Sequence, residues 1–123
     1  MNSEIKFLVE GEKIGHSEQA FIVAEVSSNH NNNLERTKEI IDGIAKTSAK
    51  GIKFQTYKPE SLIVNSNKPY ILPDNNEWAG EDLSELYKKG SLPYEWHKEL
   101  FDYCYEKGLI PFSSVFDNEG LDL

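Results

Sequence analysis

The run Gly51-Ile52-Lys53-Phe54-Gln55-Thr56-Tyr57 constrains the fold of this chain more than any other stretch. It sets a lysine and a glutamine at alternate positions among apolar residues. In a strand, residues i, i+2 and i+4 share a face, so Lys53, Gln55 and Tyr57 point one way. Two further runs follow the same plan. Phe21-Ile22-Val23-Ala24-Glu25-Val26 leads into Ser27-Ser28-Asn29-His30, and Leu109-Ile110-Pro111-Phe112 leads into Ser113-Ser114. Three strands that each deliver polar groups at the C-terminal end predict a site at the mouth of a parallel sheet or barrel.

The segments between these runs read as helices. Over residues 34–46, Leu34, Thr37, Ile40, Ile41, Ile44 and Ala45 form one stripe, and Glu35, Arg36, Glu39 and Asp42 occupy the other face. Asn29 to Asn33 ahead of it is a turn rich in helix-capping side chains. A second helix is predicted from Pro93, with Trp96, Leu100, Phe101 and Cys104 on one stripe and Gly108 as its C-terminal cap. Strand, helix and strand in succession imply parallel strands with right-handed connections. Residues 6–14 read as a small hairpin turning at Gly11. Residues 58–92 form a long connection, of a kind that is usually functional or disordered. Within it Asp82 to Lys88 reads as a short helix, and Trp78 argues for partial order. Residues 116–121 read as a loop entering one more helix.

Composition narrows the function classes. A net charge of −8 over 123 residues argues against a nucleic-acid or anionic-membrane partner, both of which need a basic footprint. A small anionic substrate needs only a few local cations and stays open. The single cysteine, Cys104, excludes an internal disulfide and fits a reducing cytoplasm. The first residues lack a basic stretch followed by an apolar one, so no signal peptide is expected. No apolar run approaches the roughly 18–20 residues of a membrane span. The expected location is cytoplasmic.

Several residues could carry chemistry. Lys53 lies inside an apolar strand, where it either meets an anion or faces solvent on an edge; the pattern alone does not choose. Glu25 stands in the same position on the first run, with a solvated strand end as its alternative. Asn29 and His30 are weaker candidates, since a loop histidine is more often structural or solvated. His16 is read as a loop residue and His97 as lying on the exposed side of its helix. The three histidines lack metal-ligand spacing, so no metal site is visible. Ser113 and Ser114 close the third strand, where hydroxyls often hold a phosphate or carboxylate. Cys104 reads as a small core residue. Phosphate-binding glycine loops and nucleophile elbows are absent.

Taken together, Ile22-Val23-Ala24-Glu25-Val26-Ser27-Ser28-Asn29-His30-Asn31, Ile52-Lys53-Phe54-Gln55-Thr56-Tyr57 and Phe112-Ser113-Ser114-Val115-Phe116-Asp117 resemble the N-terminal part of the sialic acid (nonulosonic acid) synthase family. Trp78-Ala79-Gly80, Leu83, Glu85-Leu86-Tyr87 and Pro93-Tyr94-Glu95-Trp96-His97 are similar to its pseudaminic acid synthase branch. The resemblance implies an α/β fold, the N-terminal portion of a (β/α)8 TIM barrel with about three strands and two to three helices, preceded by a small β-hairpin. Residues 1–17 would be the hairpin and 18–123 the first three βα units. The C-terminal barrel half and an antifreeze-like domain would be absent.

The activity implied is condensation of phosphoenolpyruvate with an N-acetylated amino sugar to a pseudaminic-type nonulosonic acid, releasing phosphate, in surface-carbohydrate biosynthesis. The alternatives are an N-acetylneuraminate or legionaminate synthase, or a non-catalytic fragment. By position, Glu25 and Lys53 would be catalytic, and Gln55 and Ser114 would bind substrate, with Asn29, His30 and Ser113 as further possibilities. A divalent metal, manganese or magnesium, would be held by histidines on strands this chain lacks. A homodimer is expected for the complete enzyme, and inactivity for these 123 residues alone. Three positions depart from the family pattern: Asn32 for glycine, Thr47-Ser48-Ala49-Lys50 for Ala-Gly-Ala-Asp, and Val115 for proline. Asparagine tolerates left-handed geometry. Gly51 is expected to take over the turn for the lost glycine.

Overall fold

The computed structural model describes residues 5–16, 18–64 and 68–123. The ends of the predicted 1–17 unit, residues 1–4 and 17, lie outside them. Strands β1 (Ile5–Val9) and β2 (Glu12–Gly15) pair antiparallel. Glu10 and Gly11 both adopt positive φ in the two-residue turn between them, the twist a tight hairpin requires.

The main sheet contains β3 (Val23–Glu25), β4 (Gly51–Thr56) and β5 (Ile110–Val115), in that order and parallel throughout. Helix α1 (Leu34–Ala45) connects the first two strands. The second connection runs through α2 (Pro59–Leu62), α3 (Leu83–Gly90), a 3-10 turn at Tyr94–Trp96 and α4 (His97–Glu106). A short helix, α5 (Asn118–Leu121), follows β5.

Side-chain alternation in β4 organises the layers. Ile52, Phe54 and Thr56 are buried toward the helices, and Lys53 and Gln55 are half-buried on the other face. The core gathers Val26, Ile41, Ile52, Phe54, Leu100, Cys104 and Leu109, so the predicted stripes of α1 and α4 are the faces that pack. Asn33 caps α1 by accepting from the Arg36 N–H. Gly108, at φ 75°, ends α4 and lets the Leu109 N–H reach the Cys104 carbonyl.

Several sequence expectations change. The first strand, expected over about residues 20–26, is shorter, Val23–Glu25, although the Ile22 carbonyl and the Val26 N–H still bond the backbone of residues 50–53. Gly51 does not form the turn after α1. The Thr47 hydroxyl donates to the Ile44 carbonyl and accepts from the Ala49 N–H, and Thr47 thereby shapes the exit itself. Gly51 instead belongs to β4, where an added Cβ would lie 2.9 Å from the Phe21 ring and 3.1 Å from Val23. Its role is close packing. Trp78 is in an ordered turn, held by backbone bonds between Leu72 and Glu81 and between Leu83 and Tyr70, yet its ring stays exposed. The one-turn helix α2 had no sequence signal beyond Pro59.

Phe54 is 1% exposed and stacks on Phe101, with ring centroids 5.7 Å apart. Phe54→Ala should cost about 3–5 kcal/mol in urea denaturation. A cost under about 1 kcal/mol would place the core elsewhere.

Candidate functional site at the sheet mouth

Parallel register sets residues of the three strands side by side on the face away from the helices. Glu25 pairs with Lys53, Lys53 with Phe112, and Gln55 with Ser114. The Lys53 ammonium lies 3.3 Å from Glu25 Oε1, and the Gln55 amide donates to the same oxygen at 3.0 Å. Glu25, Lys53 and Gln55 therefore form one cluster, and Ser114 stands beside Gln55. All four are half-buried or exposed, so the ion pair itself adds little stability. Its interest is chemical: a cation, a carboxylate and an amide meet on the open face of parallel strands, with Ser114 in register beside the amide.

Phe21, Val23 and Phe112 converge over Gly51 below this cluster and give it an apolar floor. The loop after β3 forms one side. Ser27, Asn31 and Asn32 have φ of 50°, 49° and 52° there, so Asn32 does adopt the left-handed geometry expected of it. Across the loop, the Ser28 hydroxyl donates to the Gly90 carbonyl at 3.1 Å and Tyr57 to the Tyr87 carbonyl at 3.3 Å. A Cβ on Gly90 would lie 2.6 Å from Ser28 Oγ and 2.9 Å from the Tyr57 hydroxyl, so a larger residue there would displace the hydroxyls that dock α3.

The remaining candidates fall outside the cluster. Asn29 is exposed, and its carbonyl accepts from the Arg36 guanidinium at 2.7 Å. His30 is fully buried; its Nδ1 accepts the Asn32 N–H at 3.0 Å, and Nε2 makes no hydrogen bond. Tyr57 lies just beyond β4, buried edge-on between Tyr87 and Phe116, instead of standing beside Gln55. Ser113 turns to the helix face, where its hydroxyl meets Thr56 at 2.6 Å. Cys104 is buried in the core as read, and burial pushes its thiol up to about 12.

His97 is the clearest correction: it is buried, not on the exposed side of α4, and its ring meets Thr56 Oγ1 at 2.7 Å. A second group was not read as a site in the sequence, although Tyr94 and Asp117 both lie in the runs that carry the family resemblance. The Asp117 carboxylate accepts from the Ser61 hydroxyl, from Tyr94 at 2.6 Å and from the Gly120 N–H at 2.7 Å. Those bonds hold its pKa down to about 2. Beside it Lys58 pairs with Glu119 at 2.6 Å. The exit of β5 is thus tied to both ends of the long connection.

A profile of the NeuB family matches residues 40–123. The chain belongs to the NeuB family. It is 38% identical over 104 residues to the pseudaminic acid synthase of Campylobacter jejuni subsp. jejuni serotype O:23/36 (strain 81-176), covering 85% of this chain and 30% of that protein. It is 41% identical over 102 residues to the pseudaminic acid synthase of Helicobacter pylori (strain ATCC 700392 / 26695), covering 83% and 30%. The chain therefore spans 30% of the length of these curated relatives. Among solved structures, an N-acetylneuraminic acid (sialic acid) synthetase from Leptospira borgpetersenii serovar Hardjo-bovis, in complex with citrate, matches with a TM-score of 0.73 at 26% identity, over 94% of this chain and 36% of that one. The α/β fold of this NeuB-family chain is the one seen there.

Among the described residues no group of three or more His, Cys, Asp or Glu could hold a metal ion. Glu25 already bonds Lys53 and Gln55 through one oxygen, and no second carboxylate or imidazole joins it in that cluster. These residues do not fit a metal site by themselves. No helix among the described residues is long and apolar enough to cross a membrane.

Burial lowers the pKa of both His30 and His97. The unfolded chain then takes up protons near pH 6.5 before the native state does. Stability should be whole above about pH 6.5 and fall as pH drops toward the lowered values. Asp117 adds a second loss as pH falls from 3.8 toward about 2. Urea midpoints across pH should show both slopes, and Asp117→Asn should flatten the more acidic one; an unchanged acid limb would contradict the assignment.

Proposed function

We propose that this chain forms the first part of a (β/α)8 barrel that condenses phosphoenolpyruvate with an N-acetylated amino sugar to a nonulosonic acid of the pseudaminic type. The observation that carries the reading is the cluster of Glu25, Lys53 and Gln55, with Ser114 in register beside it, on one face of a NeuB-family sheet. The identity to two pseudaminic acid synthases favours the pseudaminic sugar over N-acetylneuraminate and legionaminate precursors. In this reading residues 18–123 supply three βα units, and the rest of the barrel, an antifreeze-like domain and the dimer partner belong to the whole protein. A manganese or magnesium ion would be bound by residues of that remainder.

The roles follow from charge and donor type. Lys53 faces the carboxylate and phosphate of phosphoenolpyruvate, two anionic groups that an acidic protein must neutralise locally. The Ser114 hydroxyl donates to the phosphate. Gln55 hydrogen-bonds the sugar and, through its bond to Glu25, fixes that carboxylate next to the aldehyde. The enol carbon attacks the aldehyde carbon, forming the carbon–carbon bond and leaving an alkoxide on the former aldehyde oxygen. Water adds to the resulting cation and passes one proton through Glu25 to that alkoxide. The carbon–oxygen bond to phosphate then breaks, phosphate leaves with its bridging oxygen and the remaining hydroxyl proton, and the ketone is left behind.

Phosphate release should require both phosphoenolpyruvate and the amino-sugar precursor of pseudaminic acid, and the 123-residue chain alone should give none. In the active polypeptide, Lys53→Ala should lower kcat/KM by about 10²–10³-fold and Glu25→Gln by about 10²–10⁴-fold. Turnover of N-acetylmannosamine alone would overturn the pseudaminic assignment, and turnover by the isolated chain would overturn the need for the remaining strands.

A further inference from the structure

Directly beneath the mouth, on the helix-covered face, three side chains join α4 to the two strands that carry Gln55 and Ser114. His97 is 6% exposed and Thr56 1% exposed. His97 Nδ1 lies 3.2 Å from the Pro93 carbonyl and 3.1 Å from the Tyr94 carbonyl. Carbonyls only accept, so Nδ1 carries the hydrogen, and in a neutral imidazole Nε2 is then an acceptor. The Thr56 hydroxyl, 2.7 Å from Nε2, must donate to it. Thr56 Oγ1 is thereby left to accept from the Ser113 hydroxyl at 2.6 Å. Two backbone carbonyls fix the direction of every proton in the chain. The burial that lowers the His97 pKa favours this neutral form, against the opposing pull of the Tyr94 and Pro93 carbonyls and Glu95.

The relay has more consequence than a core contact. Apolar side chains at positions 56, 97 and 113 would fill this space with no polar groups to satisfy, and buried polar groups cost stability unless every one is paired. What the hydroxyls add is direction. Their bond runs diagonally between strands, because Ser113 is the register partner of Phe54 and Thr56 that of Val115. Gln55 and Ser114, themselves register partners, lie between those pairs and project to the opposite face. Each is the chain neighbour of a relay residue, so a shift of Thr56 or Ser113 displaces it directly. Gly120 closes the arrangement from above: a Cβ there would sit 2.7 Å from Thr56 Cγ2.

We propose that His97 is a positioning residue that, through Thr56 and Ser113, holds Gln55 and Ser114 at the separation and register the site requires. This rests on the substrate roles proposed above for Gln55 and Ser114.

Nuclear magnetic resonance on the 123-residue chain tests the relay without catalysis. The imidazole nitrogens of His97 should report the neutral Nδ1–H tautomer at pH 7. Thr56→Val should displace the Gln55 side-chain amide and Ser114 backbone resonances, and Thr56→Ser should restore them. An Nε2–H tautomer, or unmoved Gln55 and Ser114 resonances in Thr56→Val, would overturn the proposal whatever the reaction is. In the polypeptide that releases phosphate, Thr56→Val should reduce kcat/KM about 10- to 100-fold, mainly through higher KM for phosphoenolpyruvate and sugar, because small misplacements of binding groups are costly. Thr56→Ser should recover to within about threefold, since it restores the one hydroxyl. A Thr56→Val enzyme with a lower Tm but unchanged kcat and KM would make the relay a strut only. Absent wild-type turnover would count against the proposed reaction and leave the resonance result to decide the relay.

Discussion

The structure depends on the pairing of β4 on both of its edges. With β3 on one side and β5 on the other, its two side-chain rows acquire opposite environments. Ile52, Phe54 and Thr56 enter the layer that α1 and α4 cover, while Lys53 and Gln55 are left on the open face. A register slip of one residue would exchange the rows, burying the lysine and exposing Phe54. Hydrophobic burial on one face therefore fixes the placement of charge on the other. Folding energy and site geometry come from the same alternation.

The mouth is assembled by contacts distant in sequence. The β3–α1 loop meets the end of α3 through Ser28, Tyr57 and Gly90, and Asp117 gathers Ser61, Tyr94 and Gly120. These contacts are polar and lie above a small apolar core. Helix α3 contributes no buried residue. The long connection is thus anchored at its ends and docked through α3 by hydroxyl–carbonyl bonds, an arrangement that can adjust around a ligand at low cost.

What was legible in the sequence was whatever local periodicity records. The β4 alternation, the apolar stripes of α1 and α4, the Gly108 cap and the left-handed tolerance of Asn32 all depend on neighbours within one or two turns. The cluster of Glu25, Lys53 and Gln55 was legible as three strand-end polar groups, and register brought them together. The failures involve partners far along the chain. His97 sits among Glu95, Lys98 and Glu99, a charged neighbourhood that reads as a solvated face; its burial is decided by Thr56, 41 residues earlier. Residues 116–121 read as a loop entering a helix, and nothing local marks Asp117 as a junction because its partners Tyr94 and Ser61 lie 23 and 56 residues away. Gly51 was expected to serve a turn, but the space it leaves is filled by Phe21, Val23 and Phe112.

In the proposed function the open face of β4 is an anion and sugar site, with Lys53 on the anion. A crystal structure of the active polypeptide with phosphoenolpyruvate tests it most directly. The ligand is expected over β4 and β5, with the Lys53 ammonium and the Ser114 hydroxyl within hydrogen-bond distance of its carboxylate and phosphate oxygens. Phosphoenolpyruvate bound instead in the cavity between α2 and α3, near Pro59, Ile63 and Leu83, with Lys53 still engaged only by Glu25, would contradict it.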